Sequence, residues 1–426
     1  MKKVNGILIG KKPFKVPFFL SITTLFSVLN TSLICMVMVP FFKDNGMLPM
    51  QLSIILLAKK IVKLFSDSFF GILFDKYGAK YVFLIGRLIK LGSYFVLYLA
   101  TPKLIFFVIA MVLDGLSYSA IHGKVSVFIY NNLSINNKIN LYNRVVSAYY
   151  LLSNLLIALM SFSAGVLLKQ YGYNLLIQIS IITNILSLSL LFFIKNYPHN
   201  NTREQTDDTN NKKSKKQPSI KTIISNIKIM LKEQPIFLYL VVFYSIVNFM
   251  SWQFGSIASL ILLDMGLSPI KLATAGAGLK IFMSIGCCIP IFLLHNGIKI
   301  NKCLNIFTII ILLGILTSLI YSPVIMICFM YVMVLLYATL QTSIEKTMDK
   351  ISNIKIRATA ISIATTLCTM ITIISISLTG LIAEYFSYKL SFFITMSLLL
   401  CVLIVIKRKI HNKQSNLEDF LFLTIV

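Results

Sequence analysis

Residues 71–80 read Gly71-Ile72-Leu73-Phe74-Asp75-Lys76-Tyr77-Gly78-Ala79-Lys80, a G-x-x-x-D-K-x-G-x-K pattern set between two apolar runs. The run before it spans about 50–74 and the run after it about 82–101, each long enough to cross a hydrocarbon core of roughly 30 Å. Working outward, apolar segments of this kind recur at about 18–41, 50–74, 82–101, 103–126, 143–168, 173–194, 236–263, 270–294, 303–321, 323–344, 357–382 and 389–406. That is twelve segments. Backbone in lipid must satisfy its own hydrogen bonds, and these runs are too long for tilted barrel strands, so they are read as helices. With 57% hydrophobic residues, 13% charged residues and a mean hydropathy of +0.84, the chain is a polytopic membrane protein and not a soluble globule.

The 71–80 pattern resembles the signature loop of the major facilitator superfamily. In that family the loop joins transmembrane helices 2 and 3 on the cytoplasmic side, and here it follows the second apolar segment; Ala79 stands where a basic residue is usual. The resemblance implies an all-α transporter of twelve helices in two six-helix halves. It also implies a conformational-switch role for Gly71, Asp75, Lys76, Gly78 and Lys80, with Asp75 bracing the second helix against the other half in one state. In the fourth segment, His122-Gly123-Lys124 followed by Tyr130-Asn131-Asn132-Leu133 is similar to a pattern of efflux-like facilitators, with Asn131 where an acidic residue is common. Proton-coupled members often carry Arg in the neighbourhood that Asp114 occupies. The Gly-Pro motif of drug antiporters is missing from the fifth segment, where Ser161-Phe162-Ser163-Ala164-Gly165 is only faintly similar, which disfavours a standard drug–proton antiporter.

A net charge of +26 raises the question of a nucleic-acid partner, and the placement of the forty Lys and Arg residues answers it. With the N-terminus inside, five (Lys43, Lys103, Lys169, Lys271, Lys389) fall in outer loops, six fall within helices, and the rest lie in the termini and inner loops. This is the positive-inside bias, so no nucleic acid is expected and both termini are expected in the cytoplasm. The bilayer is a bacterial inner membrane on this reading. The first apolar run is longer than a signal-peptide core and has no clear cleavage site, so it is expected to remain. The seven cysteines lie in or beside apolar segments without C-x-x-C spacing, so neither metal nor cofactor is expected.

Residues 195–235 are polar and rich in Asn, Lys and Thr, dividing the chain into a half at 1–194, a cytoplasmic linker at 195–235, a half at 236–408 and a tail at 409–426. Residues 219–234 have amphipathic spacing suited to a helix on the inner membrane surface. Shifting the sequence by 220 positions aligns Asp44 with Asp264, Gly46 with Gly266, Pro49 with Pro269, Leu52 with Leu272, Lys60 with Lys280 and Ile61 with Ile281, without a gap. Parallel repeats of this kind relate the halves of facilitator-type transporters. The second half offers only His295-Asn296-Gly297-Ile298-Lys299 where the signature would recur.

Charged side chains at bilayer depth are costly enough to mark functional sites. Lys59, Lys60, Lys63 and Asp67 fall within an arc of about 100° on the second helix. Lys60 is eleven residues past Pro49, or about 16 Å along a helix, near the midplane, and the repeat sets Lys280 at matching depth. Two cations facing one cavity favour an anionic substrate. Arg87 and Lys90 add charge on the third helix, with Arg87 able to anchor at the cytoplasmic interface. Asp114, Tyr118 and His122 recur at i, i+4, i+8, a stripe suited to a proton relay, and Asp67 is a second acidic candidate unless Lys63 neutralises it. Small polar residues on the first helix (Thr23, Ser27, Asn30, Thr31) and the eleventh (Ser362, Thr365, Thr366, Thr369, Thr372) serve helix packing in most cases, Asn30 being the one proposed to touch substrate. Trp252, the single Trp, shares a face with Ser245, Asn248, Ser256 and Ser259 and is either a substrate-stacking residue or ordinary packing.

The sequence therefore predicts a monomeric secondary transporter for a small organic anion or zwitterion (amino acid, carboxylate or siderophore), with protons as a possible coupling ion. A hydrophobic-compound exporter is the alternative. A membrane enzyme acting on lipid-linked substrates is disfavoured, since no catalytic cluster and no nucleotide-binding loop is present.

Overall fold

The computed structural model describes residues 23–25, 28, 33–99, 102–121, 124–136, 138, 141–191, 245, 246, 249, 257–293, 300–320, 322–351 and 357–411. These form helices α1 (Leu33–Met36), α2 (Met38–Asp44), α3 (Pro49–Tyr77), α4 (Ala79–Leu99), α5 (Leu104–Ile121), α6 (Lys124–Ile135) and α7 (Tyr142–Leu190). The chain then continues in α8 (Ala258–Asp264), α9 (Pro269–Leu293), α10 (Ile300–Leu319), α11 (Pro323–Ile351), α12 (Arg357–Tyr385) and α13 (Tyr388–His411). Among the described residues, seven helical stretches are long and apolar enough to cross a membrane. One of them, Ala148–Leu190, is 43 residues and about 64 Å, twice the hydrocarbon thickness. It is two spans, because the helix breaks at Gly172 (φ 73°). Outward faces carry Phe65, Leu159, Val324 and Ile374, each more than 60% exposed, which suits acyl chains.

The helices alternate in direction, so that six connections gather at one end: 45–48, 100–103, Gly172, 265–268, 320–322 and 386–387. None exceeds four residues. Contacts between them fix this end, including Gln178 Nε2 donating to Tyr98 Oη (3.3 Å) and Lys389 Nζ donating to the Ile320 carbonyl (3.4 Å).

The 220-residue repeat is visible in the backbone. After α2 the Gly46 N–H donates to the Lys43 carbonyl (2.9 Å) and the Met47 N–H to the Phe42 carbonyl (3.2 Å); after α8 Gly266 and Leu267 bond Leu263 and Leu262 in the same way (both 3.0 Å). Both are Schellman terminations, and both need a left-handed residue, met at φ 80° and 82° by the two glycines that the repeat aligns. Pro49 and Pro269 then open α3 and α9, at the helix start where a missing N–H costs nothing.

The 71–80 stretch is less of a loop than its sequence suggests. Helix α3 runs through Tyr77, Gly78 alone turns the chain (φ 83°, its N–H on the Phe74 carbonyl at 2.9 Å), and α4 begins at Ala79. Seven of the ten residues thus end a helix.

Candidate transport site

Among the described residues, four helices carry most of the contact between the first helix set (α1–α7) and the second (α8–α13): α3 lies against α12, and α7 against α9. Small residues let the backbones approach, as is usual between helices in lipid. A Cβ built on Gly380 of α12 falls 2.3 Å from Ser53 Oγ and 2.5 Å from Ser53 Cβ of α3. In the other crossing a Cβ on Gly165 of α7 falls 2.9 Å from Ala273 Cβ and 3.1 Å from the Ile270 carbonyl of α9, and Ser161 Oγ donates to the Ala273 carbonyl (2.9 Å). Ser53 and Ala273 are themselves 220 positions apart. Repeat-related positions therefore make repeat-related contacts.

Polar contacts close the same end. Lys43 Nζ donates to Asp264 Oδ1 across the two sets (2.5 Å), the Met50 N–H donates to Glu384 Oε2 (3.1 Å), and Tyr173 Oη donates to Asp44 Oδ2 within the first set (2.6 Å). The aligned aspartates are thus used differently, one inside its own set and one across the boundary. Beneath them an apolar core runs through both sets, with Ile34, Phe42, Ile55, Ile261, Ile310 and Met333 all fully enclosed.

Lys60 lies seven residues beyond Ser53, and Lys280 seven beyond Ala273. That spacing returns to the same helix face within about 20° and moves about 10 Å along the axis. Both lysines therefore follow the tight crossings, on the faces that meet the opposite set. Both are half-buried. Cys368 of α12 is within electrostatic reach of Lys60, and Cys287 of Lys280. Among the described residues, neither lysine has a carboxylate within ion-pair distance.

The other charges are paired. Asp114 of α5, 1% exposed, receives Lys59 Nζ of α3 at 2.5 Å from Oδ2 and Lys90 Nζ of α4 at Oδ1. Lys59 and Lys63 stand over the Tyr118 ring, 5.3 and 5.2 Å from its centroid, and Lys63 reaches Asp67 at 4.0 Å. The stripe predicted as a proton relay thus enters a cationic network through Asp114 and Tyr118. Its third member, His122, lies outside the described residues, as do Asn30, Trp252 and the side chains of Asp75 and Lys76. Gly71 lies within α3 and Lys80 in the first turn of α4. Arg87 is fully buried within the protein; Asn184 Nδ2 of α7 donates to its carbonyl (3.0 Å), and Arg87 Nη1 lies 3.5 Å from Asn184 Oδ1.

Sequence reasoning missed the Lys90–Asp114 pair. Its signal was the shortage of acid: two aspartates in the spanning segments must serve five lysines and Arg87. Removing one partner of a buried pair costs about 3–5 kcal/mol where the other charge is left uncompensated, and less where, as at Asp114, a second lysine remains. Lys90→Gln is therefore expected to lower the unfolding temperature in detergent clearly, and Lys59→Gln to do so less, since Lys59 is 28% exposed against 7% for Lys90. Equal losses would show that burial does not rank the two pairs.

The sequence profile described as Major Facilitator Superfamily matches residues 20–353. No curated protein matches the sequence. Solved structures do match the fold. A variant of the nucleoside transporter NupG superposes with a TM-score of 0.71 at 12% identity, covering 92% of this chain and 100% of its own. The POT family transporter PepTSo gives 0.71 at 13% identity (95% and 99% covered), and a D-xylose-proton symporter 0.65 at 12% (90% and 97%).

Proposed function

Because the chain belongs to the major facilitator superfamily, and is a multi-pass transporter and not an enzyme, we propose that it moves a small organic anion by alternating access, with Lys60 and Lys280 holding the anion between the halves. The observation that carries this is their shared placement. Each lies two turns past a sealed crossing, on the face that meets the opposite half, and among the described residues neither has a carboxylate within ion-pair distance. An anion bound there offsets the desolvation of two ammonium groups, whereas a cation meets an unfavourable field. Lys59 and Lys63, steadied by Asp114, Tyr118 and Asp67, extend the positive surface.

On the positive-inside reading, the end closed by the crossings is the outer one. The switch role of Asp75, Lys76 and the neighbouring motif residues rests on the family resemblance. Uptake and efflux in membrane vesicles across an anion and drug panel, with and without a pH gradient, test the reading. Movement of hydrophobic compounds alone would replace it with the exporter reading.

Proton coupling through Asp114 belongs to the same proposal. In this proposal Asp114 takes up a proton as Lys59 and Lys90 loosen from it, which links loading to the occupancy of the lysine face. Asp114→Asn is expected to abolish accumulation driven by a pH gradient and to spare exchange at equal pH. Wild-type accumulation in that variant would remove Asp114 as the coupling site.

A further inference from the structure

Across the spanning segments, Lys59, Lys60, Lys63, Lys90 and Lys280 face two acidic residues, Asp67 and Asp114, an excess of three positive charges before Arg87 is counted. The geometry shows how the two carboxylates are spent. Asp114 serves Lys59 and Lys90, and Asp67 serves Lys63 at the limit of ion-pair distance. Among the described residues, no further carboxylate lies within ion-pair distance of Lys60 or Lys280. Arg87 does not share this site, being enclosed where α4 meets α7.

A single carboxylate can bridge two lysines, as Asp114 bridges Lys59 and Lys90, but it leaves one of the two positive charges unbalanced at bilayer depth, and a zwitterion would bring a further cation into a surplus of them. We infer that the substrate is a small dianion, a dicarboxylate or a doubly ionised phosphomonoester, with one negative charge for the lysine of each half. This rests on the anion-site reading above and narrows it. It also gives the tight crossings a purpose, since a dianion between Lys60 and Lys280 draws together the faces that continue from Ser53–Gly380 and Ala273–Gly165.

The test uses the purified full-length protein in detergent and matched probes, succinate against monomethyl succinate and methyl phosphate against dimethyl phosphate, by calorimetry. At least one dianion is expected to bind about tenfold or more tightly than its monoanionic partner, with the advantage falling to about twofold in Lys60→Gln and in Lys280→Gln. Lys60→Arg, which keeps the charge, should retain it. A phosphomonoester loses its second proton near pH 6, so wild-type affinity for methyl phosphate should also rise between pH 5 and 8 while that for dimethyl phosphate stays flat. Among the described residues, Lys59, Lys63 and Cys368 act on Lys60 and Cys287 acts on Lys280, with Asp67 held at Lys63; a titration among them would change the affinity for dimethyl phosphate as well, so a flat dimethyl phosphate profile isolates the ionisation of the probe itself. Equal affinity for the members of each pair, with both lysines still required, overturns the dianion and leaves the anion site standing. Binding indifferent to both lysines, or no binding of any probe, overturns the anion site and the dianion with it.

Discussion

Replacing Gly380 by leucine is expected to abolish transport while leaving substrate binding from the opposite end intact. Gly380 sits where α12 meets α3, and even one added carbon would fall 2.3 Å from Ser53 Oγ. A side chain there cannot be accommodated without separating the helices. Overpacking costs about 1–3 kcal/mol and sometimes more, and inverting a conformational equilibrium from 99:1 to 1:99 takes roughly 5.5 kcal/mol. Alanine should therefore shift the balance partly, and leucine should prevent the sealed state outright. Gly165→Leu should behave alike, because α7 meets α9 at the repeat-related crossing, with the Ile270 backbone among the obstacles. The measurement is transport in proteoliposomes beside substrate affinity in detergent. Transport near the wild-type rate in either leucine variant would mean that the crossing does not need to close.

The second large effect is expected at the paired lysines. Lys60→Gln and Lys280→Gln should each weaken anion binding by about 1.5–3 kcal/mol, the value of a hydrogen bond to a charged group, or roughly 10- to 100-fold. If one anion touches both, the double variant should lose less than the two single losses combined. Lys59→Gln should do less. It stands at a position whose counterpart is Leu279, and its ammonium already serves Asp114. Unchanged affinity in both single variants, once folding is verified, would turn attention to a hydrophobic substrate.

What the sequence disclosed and what it hid follow from the kind of information each feature needs. Spanning helices are written locally in apolar length, and the repeat survives in residues with strict backbone duties; Gly46 and Gly266 cannot drift while their Schellman turns persist. The charged arc of α3 was legible because i, i+4 spacing alone puts Lys59, Lys63 and Asp67 together. The partner of Asp114 was not. Whether Lys90 or Arg87 turns toward α5 depends on the rotation of α4, which is set by packing against α5 and α7 and by nothing in its own apolar pattern. The crossings at Gly165 and Gly380 were hidden for a related reason, since glycines and serines are scattered through many of these helices and only contact reveals which of them seal. The signature stretch was located, and the loop that the resemblance implies shrinks here to Gly78, the one residue that leaves the helix.

The six short connections at the sealed end have a practical consequence. A face whose bends number no more than four residues, one of them the single Gly172, gives an antibody or a protease almost nothing to grip. Attempts to cut, tag or immunocapture the native protein from that side should fail for want of a protruding strap. The long polar stretch between α7 and α8 is the better place for an inserted epitope or a cleavage site, because a change there need not disturb either crossing.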